Sequence, residues 1–177
     1  MMLGEIRAWR PEGAPDRVQV LEIADQPLQA LYIPRADLPA VETLGELSGF
    51  GVFFLIESAH TPGSRPRVLI GGSKHLSSQL RFYQNAAPLA WETAVAIPIA
   101  APKVPRFHKE LTKLVQFHCH RRANQVRNHE VVNHAPACPS LVPAFLDRDL
   151  SASRTAIQTL LFALGHPVLG SQLRVVK

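Results

Sequence analysis

Cysteine is nearly missing from this 177-residue chain: Cys119 and Cys138 are the only two. Two thiols cannot build a disulfide framework, so reduced thiols and a fold held by its hydrophobic core are expected. No apolar run approaches the ~20 residues of a membrane-spanning helix. The N-terminal stretch, with Glu5, Arg7 and Trp9-Arg10-Pro11, lacks the apolar core of a signal peptide. A cytoplasmic protein with no membrane partner is therefore expected. Internal repeats and low-complexity tracts are also lacking. Acids are scarce over the middle of the chain: between Arg65 and Arg127, only Glu92 and Glu110 stand against eleven basic residues.

What is present suits one small domain, or one domain with an appendage, since 46% of the residues are hydrophobic. Charge is divided unevenly. Residues 1–57 hold four basic and nine acidic side chains, a net of −5, and residues 58–177 hold fifteen basic and five acidic, a net of +10. One-sided charge of this kind creates the local field that a polyanion needs. A solvated, solubilising face has the same composition.

Hydrophobic periodicity predicts two short strands over residues 17–34, interrupted at Gln26-Pro27 and stopped by Pro34. A short helix is predicted from Leu38 to Leu47, with Asp37 as its cap. The unbroken apolar run Gly51–Ile56 predicts a buried central strand, and Arg67–Ile70 a second one, joined to it as a hairpin through Thr61-Pro62-Gly63-Ser64. Gly71-Gly72-Ser73 then turns the chain into a helix bearing Leu76, Leu80 and Tyr83, with Ser73 as cap. Further elements are a strand at Trp91–Ile99, a helix at His108–Arg122, a proline-rich loop over 133–143 and a last helix from Ser153 to Leu164, closed by Gly165. The expected class is α+β: a small, mainly antiparallel central sheet flanked by helices. Residues 1–45 read as a strand-rich N-terminal appendage and 46–177 as the main domain with a C-terminal helix.

Several groupings carry possible chemistry. Lys103, Arg106, Lys109, Lys113, Arg121, Arg122 and Arg127 form the densest basic stretch, of which the first six are site candidates, and Lys109 and Lys113 sit one turn apart on one helix face. With Lys74 and Arg81 those six are the candidate nucleic-acid-binding residues. Gly71-Gly72-Ser73-Lys74 is reminiscent of a phosphate-cradling turn, although the full nucleotide-binding loop pattern is lacking and helix capping already explains Ser73. His118-Cys119-His120 with His134 and Cys138 has zinc-type ligands. Consecutive helical residues point ~100° apart, however, so the first three cannot share one ion, and His118 reads as a core histidine. Ser77, Ser78 and His75 lack the elbow or oxyanion loop of an acyl-transfer site.

Gly51-Val52-Phe53 and Leu69-Ile70-Gly71, placed on two adjacent predicted strands, resemble the paired motif of the GIY-YIG nuclease family. The likeness extends in order through Leu31–Arg35, Gly51–Leu55, Leu69–Arg81, Trp91, Pro139–Leu141 and Leu164–Leu169. It implies a GIY-YIG-like fold for residues 46–177 and a site for phosphodiester cleavage. There, a tyrosine-assisted nucleophile attacks, an arginine steadies the phosphate, and one carboxylate holds a divalent ion. In this chain the two motif tyrosines fall at Phe53 and Leu69, and the arginine falls at Gln79. A basic or aromatic position of the family falls at Tyr83. The metal-binding glutamate falls at Val115, or at Gln116 with a slip of one residue. Arg81 sits about 200° round the helix from Gln79, and Glu110 lies more than one turn from Val115. The resemblance therefore implies a catalytically degenerate domain with no cofactor. Such a domain binds nucleic acid through its basic surface or regulates a nucleic-acid-processing partner. The rivals are a divergent DNA endonuclease that uses Mg²⁺ with Tyr83, Arg81 and Glu110 in new roles, and a protein–protein interaction module on the nuclease scaffold.

Overall fold

The computed structural model describes residues 4–24, 26–99, 108–139 and 144–171. Seven strands, β1 (Ile6–Trp9), β2 (Gln19–Ile23), β3 (Gln29–Pro34), β4 (Gly51–Glu57), β5 (Arg67–Ser73), β6 (Thr93–Pro98) and β7 (Glu130–Val131), form one sheet. Their order is β1-β2-β3-β6-β4-β5-β7, antiparallel throughout except that β7 runs parallel to β5. The helices are α1 (Leu38–Val41), α2 (Leu76–Ala86), α3 (His108–Val126) and α4 (Ala144–Ala163). The class is thus α+β, with a mostly antiparallel sheet. No helix among the described residues is long and apolar enough to cross a membrane.

The run of apolar residues in β4 has its explanation in position. All seven of its residues are buried, because the strand is paired on both edges and covered on both faces. Alternate side chains enter two separate cores. Val52, Phe54 and Ile56, with Val68 and Ile70 of β5, face the layer made by α3 and α4. Phe53 and Leu55, with Leu69, face α1 and α2. The β4–β5 hairpin keeps full register from Gly51↔Ser73 to Glu57↔Arg67. Strands β2 and β3 join the same sheet through β3 and β6, from Leu31↔Ala96 to Pro34↔Thr93.

Several expectations are corrected. The predicted helix at Leu38–Leu47 is a single α turn between two 3₁₀ turns, Arg35–Asp37 and Gly45–Leu47; the Asp37 side chain caps nothing there and accepts instead from Arg17 at 3.0 Å. Ser73 is not the cap of α2, which starts later, with His75 at the cap position. The Ser73 hydroxyl makes a tight local turn, accepting from the His75 N–H at 3.0 Å and donating to the His75 carbonyl at 2.9 Å. Helix α4 begins nine residues before Ser153, at Ala144. The core histidine of α3 is His120, with no exposed surface, whereas His118 is half-buried.

Candidate functional site

Three of the five positions carried over from the resemblance meet. Phe53 and Leu69 are buried together under α2, and the Tyr83 ring lies 5.7 Å from that of Phe53. Gly71 is the cross-strand partner of Phe53, and the Phe53 ring lies across it: a Cβ at Gly71 would come within 2.1 Å of the ring tip. The Tyr83 carbonyl accepts from the Trp91 indole at 3.0 Å, which fixes the end of α2 against the sheet. Gln79 is half-buried on the same helix. Val115 is elsewhere: it packs on the opposite face of the sheet, among Val52, Phe54, Val68 and Ile70. Seven strands of hydrogen-bonded backbone separate the two layers, so residues on α3 do not reach the Phe53 pocket.

Arg81 and Glu110 do not converge there either. The Arg81 guanidinium makes a two-point ion pair with Glu42, at 2.7 and 2.9 Å. Glu110 lies in the first turn of α3, in the layer that covers the other face. What closes on Gly71 is the Phe53 ring.

A different grouping lies on the α3 side. The outer edge of β5 is occupied step by step: Glu130 N–H donates to the Pro66 carbonyl and Val132 N–H to the Val68 carbonyl. At Ile70, the Asn133 side chain takes the place of a strand. Its oxygen accepts from Ile70 N–H at 3.0 Å, and its amide donates to the Ile70 carbonyl at 2.9 Å. The Gln116 amide donates to that same carbonyl at 3.2 Å. Because backbone groups alternate sides along a strand, those of Gly72, the next residue of this set, point to the same edge.

A cleft of about 370 Å³ opens at that point, between the end of β5 and α3. Lys74, Lys109 and Lys113 line it, together with Gly72, Ser73, Thr112 and Gln116, and Phe50 and Pro136 supply apolar walls. All three lysines are exposed, and among the described residues no acid lines the cleft. Lys109, Thr112, Lys113 and Gln116 form one stripe of α3, spaced i, i+3, i+4 and i+7. Gly72 is what lets α3 come so close: a Cβ there would stand 2.7 Å from the Gln116 side-chain oxygen. Three ammonium groups round one cleft repel one another, and an anion placed among them relieves that repulsion.

Arg121 and Arg122, the other basic candidates described on α3, do not line this cleft. Arg122 belongs to a second depression of about 320 Å³ between α3 and α4, which Arg154, Gln125 and Cys119 also line, and its Nε donates to the Leu169 carbonyl at 3.2 Å. Arg121 is exposed on α3. Lys103 and Arg106 lie outside the described residues. The pair Lys109 and Lys113 was readable as a helix face. Lys74, Phe50, Gln116 and Asn133 join it only through tertiary contacts that no local pattern records.

Of the His and Cys residues grouped above, Cys119 and His120 are interior, whereas His134 and Cys138 are exposed. Burial pushes the Cys119 thiol up to about 12, against a smaller opposing pull from the Arg154 charge. Burial also depresses His120, with the Ile70 carbonyl and the Asn133 side chain acting in the other direction. Among the described residues no group of three or more His, Cys, Asp or Glu side chains could hold a metal ion.

Comparison of the chain with protein-family models, curated proteins and solved structures gives no match.

Proposed function

We propose that this chain is a catalytically degenerate GIY-YIG-like domain that binds nucleic acid by its phosphates at the cleft of Lys74, Lys109 and Lys113. The observation that carries the reading is the convergence of three ammonium groups, Lys74 just after β5 and Lys109 and Lys113 on α3, on a cleft that no acid among the described residues lines. Phosphate contact supplies most of the affinity in sequence-independent binding, and lysine serves it as a mobile point charge.

The degenerate part of the reading is supported by the apolar packing at Phe53, Leu69 and Gly71. Phosphodiester cleavage needs a group to move a proton, a cation to steady the phosphate and a carboxylate to hold a metal. Phe53 and Leu69 have no proton to give, and Gln79 is neutral. Val115 has no carboxylate and packs on the other face. Loss of a proton-transfer group costs ~10²–10⁴ in rate, and loss of an electrostatic donor ~10²–10³, so little rate enhancement would survive.

Oligonucleotide binding by fluorescence anisotropy tests the proposal. Affinity is expected at about 50 mM salt and should fall as salt rises, with a slope of about −0.7 to −0.9 per phosphate neutralised. Replacing Lys74, Lys109 and Lys113 by glutamine should weaken binding and flatten that slope by roughly one unit per lost contact. Absence of any affinity for DNA or RNA at about 50 mM salt, where the phosphate contribution is strong, would sink the binding reading. Mg²⁺-dependent nicking of plasmid, abolished by Glu110→Ala, would sink the degenerate one.

A further inference from the structure

We infer that the lysine cleft takes a nucleotide of an unpaired strand, with its base against Phe50 and Pro136 and its phosphate among Lys74, Lys109 and Lys113. The inference rests on the nucleic-acid reading above and narrows it from any phosphate backbone to single strands.

The cleft is more than a basic patch. Beside the three lysines, a phenyl ring and a proline ring line it, with the smaller Gly72, Ser73 and Thr112 and with Gln116. A bare phosphate would use the lysines and leave the two rings wet. A ligand that is flat and apolar at one end and anionic at the other uses both. At about 370 Å³ the space falls in the ~300–1,000 Å³ range of small-ligand pockets. A base with its sugar and phosphate is of that order.

The aromatic wall is held in place before any ligand arrives. Ile99 N–H donates to the Phe50 carbonyl at 2.9 Å, and Leu76 N–H to that of the preceding Gly49 at 3.2 Å. The imidazole of His108 packs against the ring, with centroids 5.0 Å apart and planes tilted by 38°. A ring so fixed loses little freedom when a base stacks on it.

The uncharged side-chain donors of the cleft are already engaged, Ser73 with the His75 carbonyl among them. The Gln116 amide nitrogen donates to Ile70, and the Thr112 hydroxyl to the His108 carbonyl at 2.8 Å. Recognition by stacking and charge, with few directional donors, is the sequence-tolerant mode of single-strand binders. Duplex bases are stacked on one another, so a duplex could offer this cleft only phosphates, leaving Phe50 and Pro136 uncovered.

The test compares a fluorescein-labelled 12-nucleotide oligothymidylate with a 12-base-pair duplex at about 50 mM salt. The single strand should bind more tightly. Phe50→Leu should weaken the single strand by roughly tenfold, within the range that stacking one base supplies. It should leave duplex affinity and the salt slope unchanged. Phe50→Trp should tighten the single strand, and the introduced indole's fluorescence should be quenched on binding; this arm holds if the leucine variant folds poorly. Lys113→Gln should weaken both ligands and lower both slopes. Equal or tighter binding of the duplex, with neither Phe50 substitution changing single-strand affinity, would overturn the stacking inference and leave phosphate binding intact. Failure of both ligands to bind would overturn the nucleic-acid reading itself.

Discussion

Gly71 and Phe53 are a matched pair whose coupling can be measured. A methyl group at Gly71 would drive into the Phe53 ring tip. Gly71→Ala should therefore destabilise the fold by roughly 1–3 kcal/mol, the usual cost of overpacking. Phe53→Leu withdraws the ring, so the double variant should be more stable than the sum of the single losses predicts. Urea denaturation of the four proteins gives that coupling directly. His129 offers a second test at this scale. It is 5% exposed, and burial, with a smaller contribution from the His166 charge, lowers it to about 4 from an ordinary 6.5. The folded protein holds it neutral while the unfolded chain takes up a proton. Its contribution is complete above pH ~6.5 and is lost as pH falls from there toward ~4. On the order of 3 kcal/mol should disappear over that window. The urea midpoint should drop accordingly between pH 7.5 and 5, and His129→Leu should flatten the drop. Cys119 and Cys138 complete the set: Ellman's reagent should titrate Cys138 in the native protein, and Cys119 only after denaturation.

Among the elements, the Asn133 clamp on β5 has the clearest consequence. Asn133→Ala removes both bonds to the Ile70 backbone and leaves its N–H short of a partner. A loss of about 1–3 kcal/mol is expected, with amide exchange at Ile70 accelerated by NMR more than at Leu55 in the strand centre. Asn133→Asp keeps an acceptor and loses the donor, so it should rescue only in part. This is also the scale at which sequence and structure diverge most. β4, α2 and α3 were legible from their apolar patterns; β5 was legible only over Arg67–Ile70, and its continuation through Gly71–Ser73, expected as a turn, has no apolar side chain to mark it. β1 was not: all four of its residues are exposed, so no buried face marks it. β7 is two residues long and lacks a pattern altogether. The continuous apolar run of β4 announced burial without saying which residue faces which layer. That ambiguity is what separated Val115 from Phe53. Likewise the basic residues were legible as charge, but the partner of Arg81 lies 39 residues away at Glu42, beyond any local reading.

For the whole molecule, the sheet divides two unlike layers. The α1 and α2 side is a sealed apolar core at the positions where the resemblance would place catalysis, and the lysine cleft opens on the α3 side. The two parts of the proposed function can therefore be disturbed independently: Lys109→Gln should alter affinity without moving the melting temperature, and Gly71→Ala should do the reverse. The clamp at Ile70 has one more effect at this scale. With Pro66, Val68 and Ile70 all engaged on their outer side, β5 offers no run of vacant donors and acceptors to a strand from another molecule. A single asparagine thus acts as a stopper against sheet growth between chains, and its removal should be felt first as aggregation on gentle heating.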